Sequence, residues 1–385
     1  MSLEQQNSIE EIGAQMPLLD KAVELFPNTD LSGFSLVSCH HILRTNVPVL
    51  QKLFEKGLKP ENAFVLGKPY STEKSALEEY KKLGVHVSAA SVTFDSTDRF
   101  DSFFGKAGEV FVRQALQDAP ADRKLLVWDD GGILLRPLAG ESQGREVRAV
   151  EHTSSGHNAL QNINLPFPVV NMARSKTKLE LESPFIVEDV LGKFAAYLRA
   201  HPSKKVRKIL VVGGGAIGAN FKKDLTIDGY NVTTFDTIAE KSDHEHLEQI
   251  IGDFDAIIGT TGSEVLSADK INLLKHDAVV FSASSSDREF DALGWRSLSN
   301  VSVAEHSDIE VAGRVLLNNG FPLNFNGSPD TIPPQAIQLT RALSLASMFL
   351  AADDSSANKK GWLEIPRDIQ DALAKKFGEL MQANL

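Results

Sequence analysis

The stretch VWDDGGILL closes an apolar run from Lys124 with two adjacent acids, Asp129 and Asp130, followed by Gly131 and Gly132. Asp and Gly both tolerate the dihedrals of a tight turn. The same arrangement can hold a carboxylate at the lip of a sheet, where ligands of open α/β folds bind. His41 follows His40 at the end of another apolar run, and Lys178 lies in the charged run KTKLELE. Taken alone, such a histidine reads as a core or capping residue and the lysine run as a solvated face. Carboxylate, imidazole and ammonium are nonetheless the groups that general acid–base chemistry uses. His152 and His157 stand five apart, but no cysteine or acid pair completes a metal-ligand spacing, so no metal is expected.

A second constellation is KILVVGGGAIGANFKKDLTIDGYNVTTFD. Gly213, Gly215 and Gly218, with Ala216 and Ile217 between the last two, form GxGxxG after a strand-like run and before a helical one. The first glycine permits the turn, the second lets the backbone approach a pyrophosphate, and the third lets helix pack on strand. Amides at the helix N-terminus then face the phosphates. Asp236 ends YNVTTFD, where this motif puts an acid on the adenosine ribose hydroxyls. A carboxylate there repels a 2'-phosphate by about 4 kcal/mol per charge pair at about 4 Å in an effective dielectric near 20. No arginine follows it, so the cofactor expected is NAD rather than NADP. DAIIGTTGSE ends another strand, and it would line the cofactor crevice at Thr260, Thr261 and Gly262; an ordinary strand-to-helix cap is the alternative.

These residues need sheets to position them. FSLVSCHH leads into VPVLQKLFEKGL, NAFVLGK into EKSALEEYKKLG, and VHVSAAS into a helix rich in Asp and Phe; KLLVWDD and PFPVVNMA add strands. Strand then helix, repeated, predicts a parallel sheet covered on both faces. Pro184 to Ala200 reads as a connecting helix and HPSKKVR as a boundary. A second α/β series runs through KILVVG, YNVTTFD, DAIIGTT, AVVFSAS and NVSVAE to a hairpin-like GRVLLNNGFPLNF. The fold class expected is α/β with two doubly wound parallel sheets: a substrate domain over residues 1–185, an inserted Rossmann domain over 186–333, and helices over 334–385 that return to the first domain. Two crossings between them predict a hinge closure over substrate. With 385 residues, 42% hydrophobic and 24% charged, the chain has material for two or three domains. Its net charge of −11 argues against nucleic acid or an anionic membrane as partner. One cysteine, Cys39, allows no intrachain disulfide, and MSLEQQNSIEEIGAQM lacks the basic and apolar regions of a signal peptide, so a cytoplasmic protein is expected.

The order of domains, with HILRTNVPVLQKL, PYSTEK, VWDDGG, EHTSSGHNAL, PVVNMARSKTKLELES, GGGAIG, GTTGSEV and ASSSDREFD, resembles the S-adenosylhomocysteine hydrolase family. The resemblance covers most of the chain and implies tightly bound, recycled NAD. The ribose 3'-hydroxyl is oxidised, the 4'-proton is thereby acidified, the 5'-thioether is eliminated, water adds, and the ketone is reduced again. It implies that Lys178, with Glu182 after it, serves the 3'-hydroxyl, that Asp130 is the carboxylate at the 4'- and 5'-positions, and that His41 lies near the leaving group. It places Ser71, Thr72, His152 and Thr153 on a nucleoside-like substrate and Ser183 toward the cofactor. Asp129 is then a structural neighbour of Asp130. A homo-oligomer, dimer or tetramer, is also implied.

The chain departs from the family's pattern where substrate should be recognised. His152 replaces the second of two acids, Glu182 and Ser183 stand for Asp and Asn, and Ser285 stands at a histidine position. Asn326 to Ile332 contains no histidine, Ile133 replaces a third acid, and ELMQANL lacks a Lys and Tyr tail. Changing a site's polar complement costs a factor of about 10² to 10⁵ on its substrate. Three readings stay open: an adenosylhomocysteinase-type enzyme, a net oxidoreductase on another metabolite, and a non-catalytic NAD-binding regulator.

Overall fold

The computed structural model describes residues 8–299, 304–328 and 332–383. Two compact units divide the chain: Met1–Thr93 with Gly105–Glu182 and Ile332–Leu385, and Phe94–Phe104 with Ser183–Thr331.

The first unit holds β1 (Phe34–His40), β2 (Ala63–Gly67), β3 (His86–Val87), β4 (Lys124–Asp129), β5 (Val147–Glu151) and β6 (Pro168–Asn171). After the second unit's strands β7 (Lys208–Val212), β8 (Asn231–Phe235), β9 (Ala256–Gly259), β10 (Val279–Ser282), β11 (Ile309–Val311) and β12 (Arg314–Leu316), the chain adds β13 (Gly361–Glu364) to the first sheet. That sheet runs β13-β6-β5-β4-β1-β2-β3, with every pair parallel. Its order reverses between β1 and β4, which is the switch point of a doubly wound sheet. β1, β2, β5 and β6 are buried at every position, as strands covered on both faces must be.

The second sheet runs β11-β12-β10-β9-β7-β8, parallel apart from β11 against β12, and reverses between β7 and β9. Two doubly wound sheets are thus what the alternating pattern reads. Cores form on both faces of the second: Phe254, Leu266, Phe290 and Trp295 on one, Val190, Phe194, Phe221 and Phe281 on the other.

Several elements differ from the sequence reading. β5 escaped it because Arg148 interrupts the apolar run VRAVE. Its guanidinium is buried, donating to the carbonyls of Ala351 (3.3 Å) and Asp353 (2.8 Å) and pairing with Glu146. β13 is a short edge strand between charged residues, which hides its pattern. The helix Pro334–Ala352 is buried almost all round, rather than apolar on one face, because it packs on β4, β5 and β6 and on the helix Leu18–Leu25. The hairpin lies earlier than GRVLLNNG suggests, at β11 and β12, and turns through Ala312 (φ 49°) and Gly313 (φ 78°). Asn300 to Val303 of the expected NVSVAE strand, and Pro329 to Thr331 of the loop without histidine, lie outside the described residues.

Phe94–Phe104, assigned from sequence to the first domain, groups with the second unit. Phe94 and Phe100 meet Phe321 edge-on at 5.9 and 5.3 Å, and Asp101 takes a two-pronged hydrogen bond from Arg288 at 2.7 and 2.8 Å. Among the described residues no helix is long and apolar enough to cross a membrane.

Candidate functional site

Brought to the carboxyl edge of the first sheet at its switch point are His40 and His41, ending and following β1, Lys68 following β2, and Asp129 and Asp130 at the end of β4. The two acids have separate tasks. Asp129 Oδ2 accepts from the amides of Leu134 and Leu135, both at 2.9 Å, and so holds the start of the helix Leu135–Gly140. Asp130 Oδ1 accepts from the Lys68 ammonium, and its Oδ2 lies 3.5 Å from His41 Nε2. His41 Nδ1 in turn lies 2.5 Å from Ser71 Oγ. Glu151, buried at the end of β5, shapes the turn: its carboxylate accepts from Gly131 N (3.1 Å), Gly132 N (3.0 Å) and Thr153 N (2.7 Å). Gly131 and Gly132 have φ of 107° and 70°, which only glycine adopts at little cost.

Burial disfavours a charged Asp130, but the Lys68 ammonium outweighs that and holds the carboxyl well below its usual range. Burial alone would lower Lys68, and Asp130 reverses this and raises it. Burial pushes His41 down to about 3, against the opposing pull of Asp130. His152 is likewise held well below its ordinary value, first by burial and then by Lys178. Asp129 and Glu151 are pushed up by burial. The arrangement at neutral pH is an Asp130–Lys68 ion pair flanked by neutral imidazoles.

Lys178 Nζ donates to Glu182 Oε2 at 2.5 Å, one helical turn on, and Thr340 Oγ1 donates to Glu182 Oε1 at 2.8 Å. Three of the expected substrate residues use their hydroxyls locally, the first being Ser71, whose Oγ donates to the Lys68 carbonyl (3.2 Å). Thr72 Oγ1 donates to the Lys68 carbonyl (2.9 Å), and Thr153 Oγ1 donates to Glu151 (2.9 Å) while capping the helix Ser154–Leu160. Ile133 packs against Gly108, where even a methyl group would lie 2.4 Å from its Cγ2. Sequence reasoning passed over Lys68; its place directly after β2, on the same edge as Asp130, is the signal that could have found it.

In the second unit Gly213 follows β7 with φ 111°, and Gly215 precedes the helix Ala216–Ile227. A Cβ at Gly218 would lie 1.8 Å from the Gly213 carbonyl oxygen, and one at Gly213 would lie 2.4 Å from Thr260 Oγ1. A Cβ at Gly215 would meet nothing within 4 Å. Gly213 and Gly218 are therefore required by packing, while Gly215 borders open space beside exposed Ala216 and half-buried Ile217. Asp236 Oδ2 accepts from Gly214 N (2.5 Å) and Oδ1 from Ile238 N (2.8 Å), which leaves about two lone-pair positions for hydroxyl donors. Thr260 Oγ1 donates toward the carbonyls of Val212 and Gly213. Buried Glu289, unnoticed in the sequence, fixes the next turn by accepting from Thr261 N (2.5 Å), Gly262 N (2.9 Å) and Ser282 Oγ (2.5 Å). Ser183 Oγ accepts from Asn220 Nδ2 at 3.0 Å. Among the described residues no three His, Cys, Asp or Glu side chains gather as a metal site.

The chain is 35% identical over 354 residues to uncharacterized protein Rv0104 of Mycobacterium tuberculosis, covering 89% of this chain and 69% of the relative. It belongs to the Rv0104 family. Protein MT0113, from another strain of that organism, gives the same figures. No family model matches the chain. Solved structures similar to this Rv0104 relative include an L-alanine dehydrogenase (13% identity, TM-score 0.38, covering 87% of this chain and 94% of that one). Another is dipicolinate synthase, A chain, from Bacillus subtilis (12% identity, TM-score 0.38, covering 93% and 100%).

Proposed function

We propose that the chain is an NAD-dependent enzyme of the adenosylhomocysteinase type, acting on S-adenosylhomocysteine or a related nucleoside thioether. The observation that carries this reading is the gathering of Asp130, Lys68, His41 and Ser71 at the switch point of the first sheet. Sequence motifs alone do not require such convergence.

The second unit fits a dinucleotide. The open space at Gly215, the exposed N-terminus of the helix Ala216–Ile227 and the spare acceptor positions on Asp236 are what a pyrophosphate and a ribose diol need. Gly213, Gly215, Ala216, Ile217, Gly218 and Asp236 would hold the adenosine diphosphate half, with Thr260, Thr261 and Gly262 lining the nicotinamide side and Ser183 supporting that helix through Asn220. When bound, NAD supplies a hydride acceptor for a ribose carbon.

On the first unit, Lys178 and Glu182 exchange a proton with the reacting hydroxyl, Glu182 being steadied by Thr340. Asp130 would take the 4'-proton and hand it to the neighbouring His41 imidazole, which would release it to the departing thiolate and return to its neutral state. Glu151 keeps the Asp130 turn rigid by filling its amides.

One observation favours a second reading, a net oxidoreductase. A carboxylate held ionised by a buried ammonium is a weak base for a carbon acid, whereas hydroxyl oxidation needs only the Lys178–Glu182 side. Denaturing the purified protein and identifying what is released tests both. NAD in near-stoichiometric amount, with formation of adenosylhomocysteine from adenosine and homocysteine, is expected. NAD that exchanges freely, with steady NADH formation on a screened metabolite, selects the oxidoreductase, and absence of any dinucleotide binding sinks both.

A further inference from the structure

His152 stands where the resembling family has an acid, and its surroundings specify which of its nitrogens carries the proton. Its side chain is buried, with its ring centre 6.4 Å from that of Trp128 and the Ser344 hydroxyl beside it. Nδ1 lies 3.3 Å from Ser344 Oγ. Ser344 has one hydroxyl hydrogen, and its shortest acceptor is the carbonyl of Thr340, one helical turn back at 2.9 Å; Met172 Sδ lies at 3.5 Å. With that hydrogen engaged, the hydroxyl faces Nδ1 with lone pairs, so Nδ1 carries the proton and Nε2 carries a lone pair. Nε2 has no hydrogen-bond partner among the described residues. Burial, and after it the charges of Lys178, Arg341 and His41, disfavour a second proton, while Asp130, itself paired with Lys68, favours one.

We infer that His152 Nε2 is a hydrogen-bond acceptor reserved for a hydroxyl, amine or amide donor of the substrate, and that Ser344, through Nδ1, is the positioning residue that keeps it so. The inference rests on reading the first unit as the substrate unit. It gives the family's acid position a neutral acceptor. A neutral acceptor selects a donor group as the acid does, but it adds no negative charge beside Asp130, and so it tolerates an anionic substituent that a second carboxylate would repel.

The test is ¹⁵N NMR of the histidine rings in the full chain, with His152 assigned by loss of its signal in His152→Asn. The expected result is a neutral Nδ1–H tautomer for His152 from pH 8 down to pH 5. An Nε2–H tautomer, or an imidazolium at pH 7, overturns the inference. In Ser344→Ala the Nε2–H form should rise, and an unchanged tautomer would remove Ser344 from the account. Calorimetry with adenosine as the probe then reads the consequence: Ser344→Ala should weaken its binding about 3- to 10-fold, the span of one neutral hydrogen bond. Equal adenosine affinity despite a changed tautomer overturns the substrate contact. If the native chain binds no adenosine, the nucleoside reading fails, while the spectra still decide the state of His152.

Discussion

At the carboxyl edge of the first sheet, the switch point between β1 and β4 is lined by buried titratable side chains. At the second sheet's, between β7 and β9, it is lined by backbone. The topological device is the same in both. The first buries Asp130, Lys68 and His40, and each is tolerable only because a partner or a neutral state compensates its desolvation. The second excludes side chains by glycine, leaving amides and one carboxylate with spare acceptor positions. One edge presents buried titratable side chains, and the other presents chiefly backbone groups whose charge does not change.

The contrast can be broken hardest at Gly218. A methyl group 1.8 Å from the Gly213 carbonyl cannot be absorbed by a flexible side chain, so Gly218→Ala should cost more than about 4 kcal/mol. Urea unfolding followed at Trp295, buried in the second unit, measures it. A loss below about 1 kcal/mol would show that the turn is not packed as described. Next comes Lys68. Lys68→Met leaves Asp130 ionised, buried and unpaired, at a cost of about 3–5 kcal/mol, and adding Asp130→Asn should recover most of it. If the double variant is no better than the single one, the ion pair is not the determinant of that edge.

A smaller effect is expected from pH, and it concerns the first unit alone. His40 is buried, stacked 4.2 Å from Trp128, with Nε2 2.9 Å from the Tyr80 hydroxyl, and burial lowers it to about 3. Its folded value lies below its unfolded one, so the unfolded chain binds the extra proton and stability falls as pH drops from about 6.5 toward 3. Buried Asp129 and Glu151 are shifted upward and act in the opposite sense, so the signal is a difference between chains. Relative to His40→Gln, the native protein should lose up to about 1.4 kcal/mol per pH unit between pH 6 and 5. A pH-independent difference would mean that His40 is already protonated or not buried in the fold.

The alternating apolar runs made both sheets legible, because fully buried parallel strands need little but apolar side chains. Where a buried charge interrupts the run, as Arg148 does in β5, the pattern fails and only the carbonyls that receive the guanidinium explain the strand. The same limit applies to the site. Asp130, His41 and Lys178 could be singled out because they follow apolar runs or sit in motifs, whereas Lys68, Glu151 and Glu289 act through partners far away in sequence. The separate duties of Asp129 and Asp130 follow from side-chain direction alone: successive residues at a strand end point to opposite faces, one toward the helix it holds and the other toward Lys68.

The finest test of the contrast is at Gly215, because there the backbone edge should be free of packing demands. Its φ of −73° is open to any residue, and a Cβ meets nothing within 4 Å. Gly215→Ala should therefore change stability by less than about 1 kcal/mol, the difference between glycine and alanine at a helix cap. The methyl group would project into the space through which a pyrophosphate must approach the amides, so NAD affinity should fall at least tenfold while Trp295 reports an intact unit. Unchanged affinity would move the phosphates elsewhere, and the open space at Gly215 would then have no ligand to explain it. A stability loss as large as that of Gly218→Ala would show instead that both glycines serve packing, and the second edge would lose the distinction drawn between them.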